Sequence, residues 1–369
     1  MSHGIDYRRK SIAMNPRPGH GAGQYFYGRP YLSGNRQLAH ADTLCQADPF
    51  DTPLWLVYNS HVNFKKEYHM HISRRSFVSS VMVAGGVAAL PGCCCFGAGT
   101  KTRPAVQLYS VRELIREIGL PAVLAELKKM GYEGVEMAGY YTKDGKALTA
   151  PELKKMLDDA GLVACGTHVG REALAPEKIS ETIDFNLAFG NNYIVCPGGG
   201  MRPGKDWKGT REEWWEMIVK FYSTAAVTAA ARGCRVGYHN HQWEHQEKTH
   251  GTTMWDYFFS NTPKNVCMEQ DVGWTVTAGS DPCEWFRKFP GRSPTIHAKE
   301  VFAKGAPGIL GQPGTLADGT PRKGVDWDAL FPVTDADGVE WYVVECETNP
   351  KTLDSVRGSI WYLRSKGRC

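Results

Sequence analysis

From residue 104 to the C-terminus the chain keeps changing period. A short apolar run of strand type is followed by a stretch with apolar residues three and four apart, and the pair recurs eight times. Strand-type runs fall at 105–110, 134–138, 162–169, 193–196, 235–241, 265–272, 295–301 and 340–347. Helical patterns fall at 114–130, from 149 to a closing Gly161, at 176–189, 210–231, 252–259 and 282–289, from 326, and at 353–365. Strands separated by helices must run parallel. Eight such units in about 250 residues is the arithmetic of a (β/α)8 TIM barrel. A doubly wound open sheet is the alternative, and it usually carries a Gly-rich phosphate loop after its first strand. The residues there, Tyr109-Ser-Val-Arg112, are nothing of the kind.

Composition narrows the class further. A net charge of +4 over 369 residues, with no long basic run, implies neither nucleic acid nor an acidic membrane surface as partner. The eleven cysteines form no CxxC pairs. Three sit together at 93–95, and Cys165, Cys196, Cys234, Cys267 and Cys346 fall inside or beside apolar runs, so neither a disulfide framework nor a zinc ribbon is expected. Trp214 and Trp215, side by side on the fourth helix, are expected to pack rather than to stack ligands.

Residues 1–69 lack periodicity and are read as disordered or as a mis-assigned N-terminal extension. Residues 70–99 look like an export signal. Ser-Arg74-Arg75-Ser-Phe77 resembles a twin-arginine motif, and the apolar stretch at 79–90 is too short to span a bilayer. Leu90-Pro-Gly-Cys93 resembles a lipoprotein cleavage box, with Cys93 as the lipid-bearing residue. Plain cleavage near Gly97 or Ala98 is the alternative. Either way a periplasmic or lipid-anchored bacterial protein is expected, with residues 104–369 as its catalytic domain.

Buried parallel strands should be nearly continuous apolar runs. Six of these eight instead end in ionisable residues: Glu136, His168, His239 with His241, Asp271, His297 with Lys299, and Glu345 with Glu347. In a barrel those ends converge on one mouth. Unpartnered charges there would be costly, and shared coordination of a divalent cation removes the cost. A His, Asp and Glu set suits Mn, Co, Zn or Fe(II) better than Ca; Mg is also a candidate.

The series Gly-Tyr-His239-Asn-His241-x-x-Glu244, Glu269-x-Asp271-Val-Gly-Trp274, Ile-His297-Ala-Lys299-Glu300, Gly324-Val-Asp326-Trp327 and Trp341-Tyr-Val-Val-Glu345-x-Glu347 resembles the xylose-isomerase-like barrel family, whose members are often labelled sugar phosphate isomerase/epimerase. The resemblance implies one divalent metal held by His239, Asp271, His297 and Glu345. It also implies proton abstraction next to a carbonyl, with the metal as Lewis acid on the developing enediolate.

The chain departs from the pattern at strand five. Epimerising relatives place a glutamate where His239 stands and move the proton between two glutamates. Here Glu345 can act as one base, and His241, Glu244, Lys299 or Glu136 must supply the second group. His168 is expected to bind a hydroxyl or polarise a carbonyl, and Trp274 and Glu347 to contact substrate. Isomerisation or epimerisation of an unphosphorylated sugar is the first expectation. A lyase or hydrolase acting on a keto-sugar or keto-glycoside comes second, and a sugar-binding lipoprotein on an inactive barrel third. A DNA-repair endonuclease would need further metal ligands and a basic face, which the sequence lacks.

Overall fold

Eight strands pair in parallel, each with its sequence neighbours, and the last closes onto the first. They are β1 (Arg103–Gln107), β2 (Gly134–Met137), β3 (Val163–His168), β4 (Tyr193–Pro197), β5 (Arg235–His239), β6 (Cys267–Asp271), β7 (Thr295–Ala298) and β8 (Trp341–Val344). Their outer helices are α1 (Leu120–Met130), α2 (Ala150–Ala160), α3 (Ile179–Ala188), α4 (Arg211–Ala230), α5 (Met254–Asn261), α6 (Pro282–Lys288), α7 (Trp327–Asp337) and α8 (Asp354–Ser365). This is the expected (β/α)8 barrel. The computed structural model describes residues 102–139, 145–198, 202–204, 206–302, 306–312 and 324–369. The expectations for 1–69, for the signal at 70–99 and for Cys93 lie outside the described residues.

Period-2 alternation sorts the strand residues into two cores. Trp341 and Val343 of β8 join Ala105 and Cys165 in a small apolar cluster inside the barrel. Their neighbours Tyr342 and Val344, with Val106, face the helices in the large outer core. On α1 the buried residues are Leu120, Val123, Leu124 and Leu127, three and four apart on one face. Each such leucine stabilises the fold by roughly 1.5–3 kcal/mol through burial. Helices α2 and α4 start with capping boxes, Thr149 with Glu152 and Thr210 with Glu213. Trp214 and Trp215 are both buried. The described cysteines are free thiols.

Several predicted boundaries move. The single helix expected at 114–130 is two, Arg112–Ile118 and α1, broken at Gly119, whose φ of +88° suits only glycine. Strand five stops at His239, because Asn240 turns its side chain onto the backbone of Asp271. Strand seven stops at Ala298, and Glu300–Phe302 instead forms a hairpin with Ala306–Gly308. The Glu300 carboxylate then accepts from the backbone N–H groups of Gly311 and Val325 and from the Trp327 indole, which holds Gly311 and the start of α7 against the hairpin.

A bulge in β3 positions one side of the site. Strand β3 pairs Val135 with Ala164 and then Glu136 with Gly166, so Cys165 is an extra residue. This bulge resets the alternation, and His168 faces inward where regular pairing would point it at the helices. Elsewhere, the buried Arg292 donates to the carbonyls of Phe259, Thr262, Pro263 and Val266 and to the Thr262 hydroxyl. It thereby caps the C-terminal end of α5 and holds the turn into β6.

Candidate metal centre and active site

The ionisable residues at the strand ends do converge. Oδ1 of Asp271 caps a short helix, Val272–Thr277, by accepting from the Trp274 N–H at 2.8 Å. Its Oδ2 is left buried, with no hydrogen-bond partner among the described residues. That atom lies 4.0 Å from Nε2 of His239, 4.0 Å from Nδ1 of His297 and 3.9 Å from Nζ of Lys299. Nδ1 of His297 lies 2.8 Å from Oε2 of Glu345. One donor atom each from His239, Asp271, His297 and Glu345 fits within 4.8 Å of the others. Donors about 2.1 Å from a common ion lie at most about 4.2 Å apart, so small inward shifts complete the set. An unpaired buried carboxylate oxygen costs about 1–3 kcal/mol, and an ion removes that cost. The cluster is able to hold a divalent metal.

A second set lies against it. Glu269, level with His239 in the barrel, directs Oε1 toward three imidazoles. The distances are 2.8 Å to Nε2 of His168, 3.2 Å to Nε2 of His297 and 3.5 Å to Nδ1 of His239. Its Oε2 accepts from the Thr295 hydroxyl at 2.6 Å. Oε2 of Glu136 lies 2.6 Å from Nε2 of His297 and accepts from Gln107 at 2.6 Å. Gly166 makes this approach feasible: a Cβ there would stand 2.5 Å from Oε1 of Glu136.

Burial and neighbouring charge shift these groups in different directions. Burial pushes the Asp271 carboxyl up to about 7, against Lys299 and with Glu345. Burial also pulls the neutral imidazoles of His239 and His241 down, the latter to about 4. Burial opposes charge on His168 and His297, but Glu136 and Glu269 hold both above the ordinary histidine value. Burial would raise Glu345, yet Lys299 and His297 hold it well below the carboxylate range. Lys299 stays cationic against burial because Glu345, Asp271 and Glu347 surround it. Its Nζ sits 4.7 Å over the Trp274 ring.

The predicted residues therefore separate into groups. His239, Asp271, His297, Glu345, Lys299 and Glu136 are buried together. His168, His241, Trp274 and Glu347 are partly exposed beside them. The His239 ring has three imidazole neighbours, with centroids 4.3 Å from His297, 4.9 Å from His168 and 5.3 Å from His241. Glu244 is turned away: Oε1 accepts from the Tyr238 hydroxyl and Oε2 from the His241 N–H. It shapes the turn after β5. The sequence reading missed Asn240, Glu269, Thr295 and Gln107 as parts of the site. For Glu269 and Thr295 the signal was a polar side chain in an apolar strand, two residues before Asp271 and His297.

A pH experiment checks the place of Glu244. Burial raises its folded pKa from 4.5 to about 8. Between those values the folded state keeps a proton that the unfolded chain has lost, so stability falls as pH rises and levels off above about 8. The slope approaches about 1.4 kcal/mol per pH unit. Glu244→Gln preserves both hydrogen bonds, since its amide can donate to the Tyr238 oxygen. Chemical denaturation at pH 5 and pH 8 should show a smaller difference in the variant than in the parent.

Residues 124–365 match the model for the xylose isomerase-like TIM barrel. The chain belongs to the xylose isomerase-like TIM barrel family. Members of this family similar to it include an inosose dehydratase of Clostridium botulinum, 25% identical over 69% of this chain and 92% of the relative. An inosose dehydratase of Erwinia tasmaniensis is 26% identical over 64% and 86%. The crystal structure of a sugar phosphate isomerase/epimerase from Parabacteroides distasonis superposes with a TM-score of 0.57 at 26% identity, covering 76% of this chain and 99% of that one.

Proposed function

We propose that this protein is a divalent-metal-dependent enzyme that removes the proton next to a carbonyl of a sugar-like polyol ketone. Of the two outcomes open to such chemistry, we place elimination of a β-hydroxyl or β-alkoxy group first and isomerisation or epimerisation second. The observation that carries this is at the end of β5, where His239, not a carboxylate, completes the metal-ligand set opposite Glu345. Inversion at carbon needs an acid and a base on opposite faces. Elimination needs one base for the C–H proton and one acid for the leaving group. The similarity to two proteins named inosose dehydratase supports the same order, and the resemblance to a sugar phosphate isomerase/epimerase keeps the second outcome in view.

His239, Asp271, His297 and Glu345 would hold the ion, which supplies Lewis-acid polarisation of the carbonyl. The chain's own groups do the rest. His241, neutral at pH 7, takes the proton from the carbon beside the carbonyl. His168, whose affinity for a proton Glu136 and Glu269 raise against burial, gives a proton to the departing oxygen as the β C–O bond breaks. Lys299 stays charged and favours the developing oxyanion, with Glu347 and Trp274 fixing its ammonium. The signal-like segment supports export, and a periplasmic enzyme meets unphosphorylated polyols and glycosides more than sugar phosphates.

The test is turnover of a panel of unphosphorylated keto-sugars, keto-inositols and 3-keto-glycosides in deuterated buffer, followed by NMR with Mn, Co, Zn or Mg added in turn. Release of water or an aglycone with a new unsaturated or dicarbonyl product supports elimination. Deuterium in a recovered epimer supports the second outcome instead. Neither exchange nor product with any metal would sink both.

A further inference from the structure

The two histidines of the metal-ligand set face it with different ring nitrogens. His239 has Nε2 toward Asp271 and Nδ1 toward Glu269. His297 has Nδ1 toward Asp271 and Glu345, and Nε2 toward Glu136 and Glu269. A neutral imidazole carries its proton on one nitrogen and offers a lone pair on the other, so the acceptor behind the ring decides which nitrogen can bind an ion. Behind both rings stands the same oxygen, Oε1 of Glu269. It is fully buried, and the Thr295 bond at 2.6 Å fixes the carboxylate. Nδ1 of His239 is itself a buried nitrogen without a hydrogen-bond partner among the described residues, 3.5 Å from that oxygen.

We propose that Glu269 is the positioning residue of the centre, holding His239 as the Nδ1–H tautomer and, together with Glu136 at 2.6 Å, His297 as the Nε2–H tautomer, so that they bind the ion through Nε2 and Nδ1 respectively. This rests on the reading that His239, Asp271, His297 and Glu345 hold the ion. One carboxylate oxygen serving both ligand rings and His168 couples the metal set to the proton donor. A shift of Glu269 therefore misaligns three imidazoles at once. The alternative is also present in the geometry. His168, His239, Glu269 and His297 form a set of the right size to take the ion themselves, with Glu269 as a ligand. That set uses the opposite nitrogens of His239 and His297, so the two arrangements make opposite predictions.

The experiment is metal titration of the chelator-treated full chain with Co(II), read by calorimetry and by the visible ligand-field bands, for the parent, Glu269→Gln, Thr295→Val and Asp271→Asn. Glu269→Gln should weaken binding about 10- to 100-fold and shift the bands, as loss of an outer carboxylate partner does. Thr295→Val should move both the same way by a smaller factor, and Asp271→Asn should abolish binding. Nitrogen-15 NMR of the labelled parent with Zn bound should place the protons on Nδ1 of His239 and Nε2 of His297, a readout that needs no variant to fold. Unchanged affinity and bands in Glu269→Gln overturn the proposal. So does loss of binding in Glu269→Gln with retention in Asp271→Asn, or the reverse proton pattern, since the ion would then sit in the inner set. A parent that binds no ion overturns the underlying metal reading, which is a separate result.

Discussion

Asp271→Asn is expected to lower kcat/KM by about 10³-fold or more while leaving the metal-free protein at least as stable as the parent. The first half follows from loss of a proposed metal ligand. A Lewis acid contributes several kcal/mol to the transition state, and each 1.36 kcal/mol is about tenfold in rate. The second half follows from the carboxylate itself. Oδ2 is buried without a hydrogen-bond partner among the described residues, and Glu345 stands near enough to help burial push the group up to about 7. Above that pH the metal-free parent carries a charge its surroundings oppose, and the amide removes it. The amide still offers an oxygen to the Trp274 N–H, so the cap survives. Saturating Mn should raise the melting temperature of the parent, by RT ln(1 + [L]/Kd) or about 2.7 kcal/mol at 100 times Kd, and leave the variant unmoved. A variant that keeps full activity would remove Asp271 from the site.

Arg292→Met should be the most damaging single change outside the site, by roughly 3–5 kcal/mol. The guanidinium serves four carbonyls and a hydroxyl in a space closed to water. Methionine fills most of the volume and donates nothing, and each buried acceptor left bare costs about 1–3 kcal/mol before rearrangement. The C-terminal end of α5 also loses a cation. For a domain of this size the change corresponds to about 2–4 °C of melting temperature per kcal/mol. Arg292→Lys should recover little, because a single ammonium cannot reach acceptors spread around a planar fork. A loss under 1 kcal/mol in urea denaturation would show that the carbonyls find other partners. The residue lies beyond the metal set, so the surviving folded fraction should retain its kcat.

The barrel was legible because its signal is collective. Eight alternations of period leave few architectures, and errors at strand ends do not change the count. The metal-ligand candidates were legible for the same reason: ionisable residues are out of place at the ends of buried strands. Two kinds of information were not legible. The first is local counting. Nothing in Leu162-Val-Ala-Cys-Gly-Thr-His168 announces an extra residue, so the facing of His168 had to come from pairing with β2. The second is mutual orientation. Glu244 and Glu269 are both acids near a histidine motif, and the sequence reading gave a role to the first and none to the second. Their roles differ because Tyr238 and the His241 N–H occupy one, while three imidazoles face the other. Residue spacing along one strand carries no trace of which neighbour on the next strand a carboxylate will meet.

The extra residue in β3 also sets how this scaffold can be changed. Loops at the mouth can lengthen or be exchanged without altering which way a strand's side chains point. The parity of β3 cannot be treated that way. If Cys165 stayed and the strand paired regularly, His168 would turn out among the helices and Thr167 would enter the barrel in its place, whereas deleting Cys165 would remove the bulge and leave His168 inside. The bulge, far from any loop, thus decides whether a histidine or a hydroxyl faces the barrel interior, and grafting His168 onto a relative would need either the bulge or a strand one residue shorter.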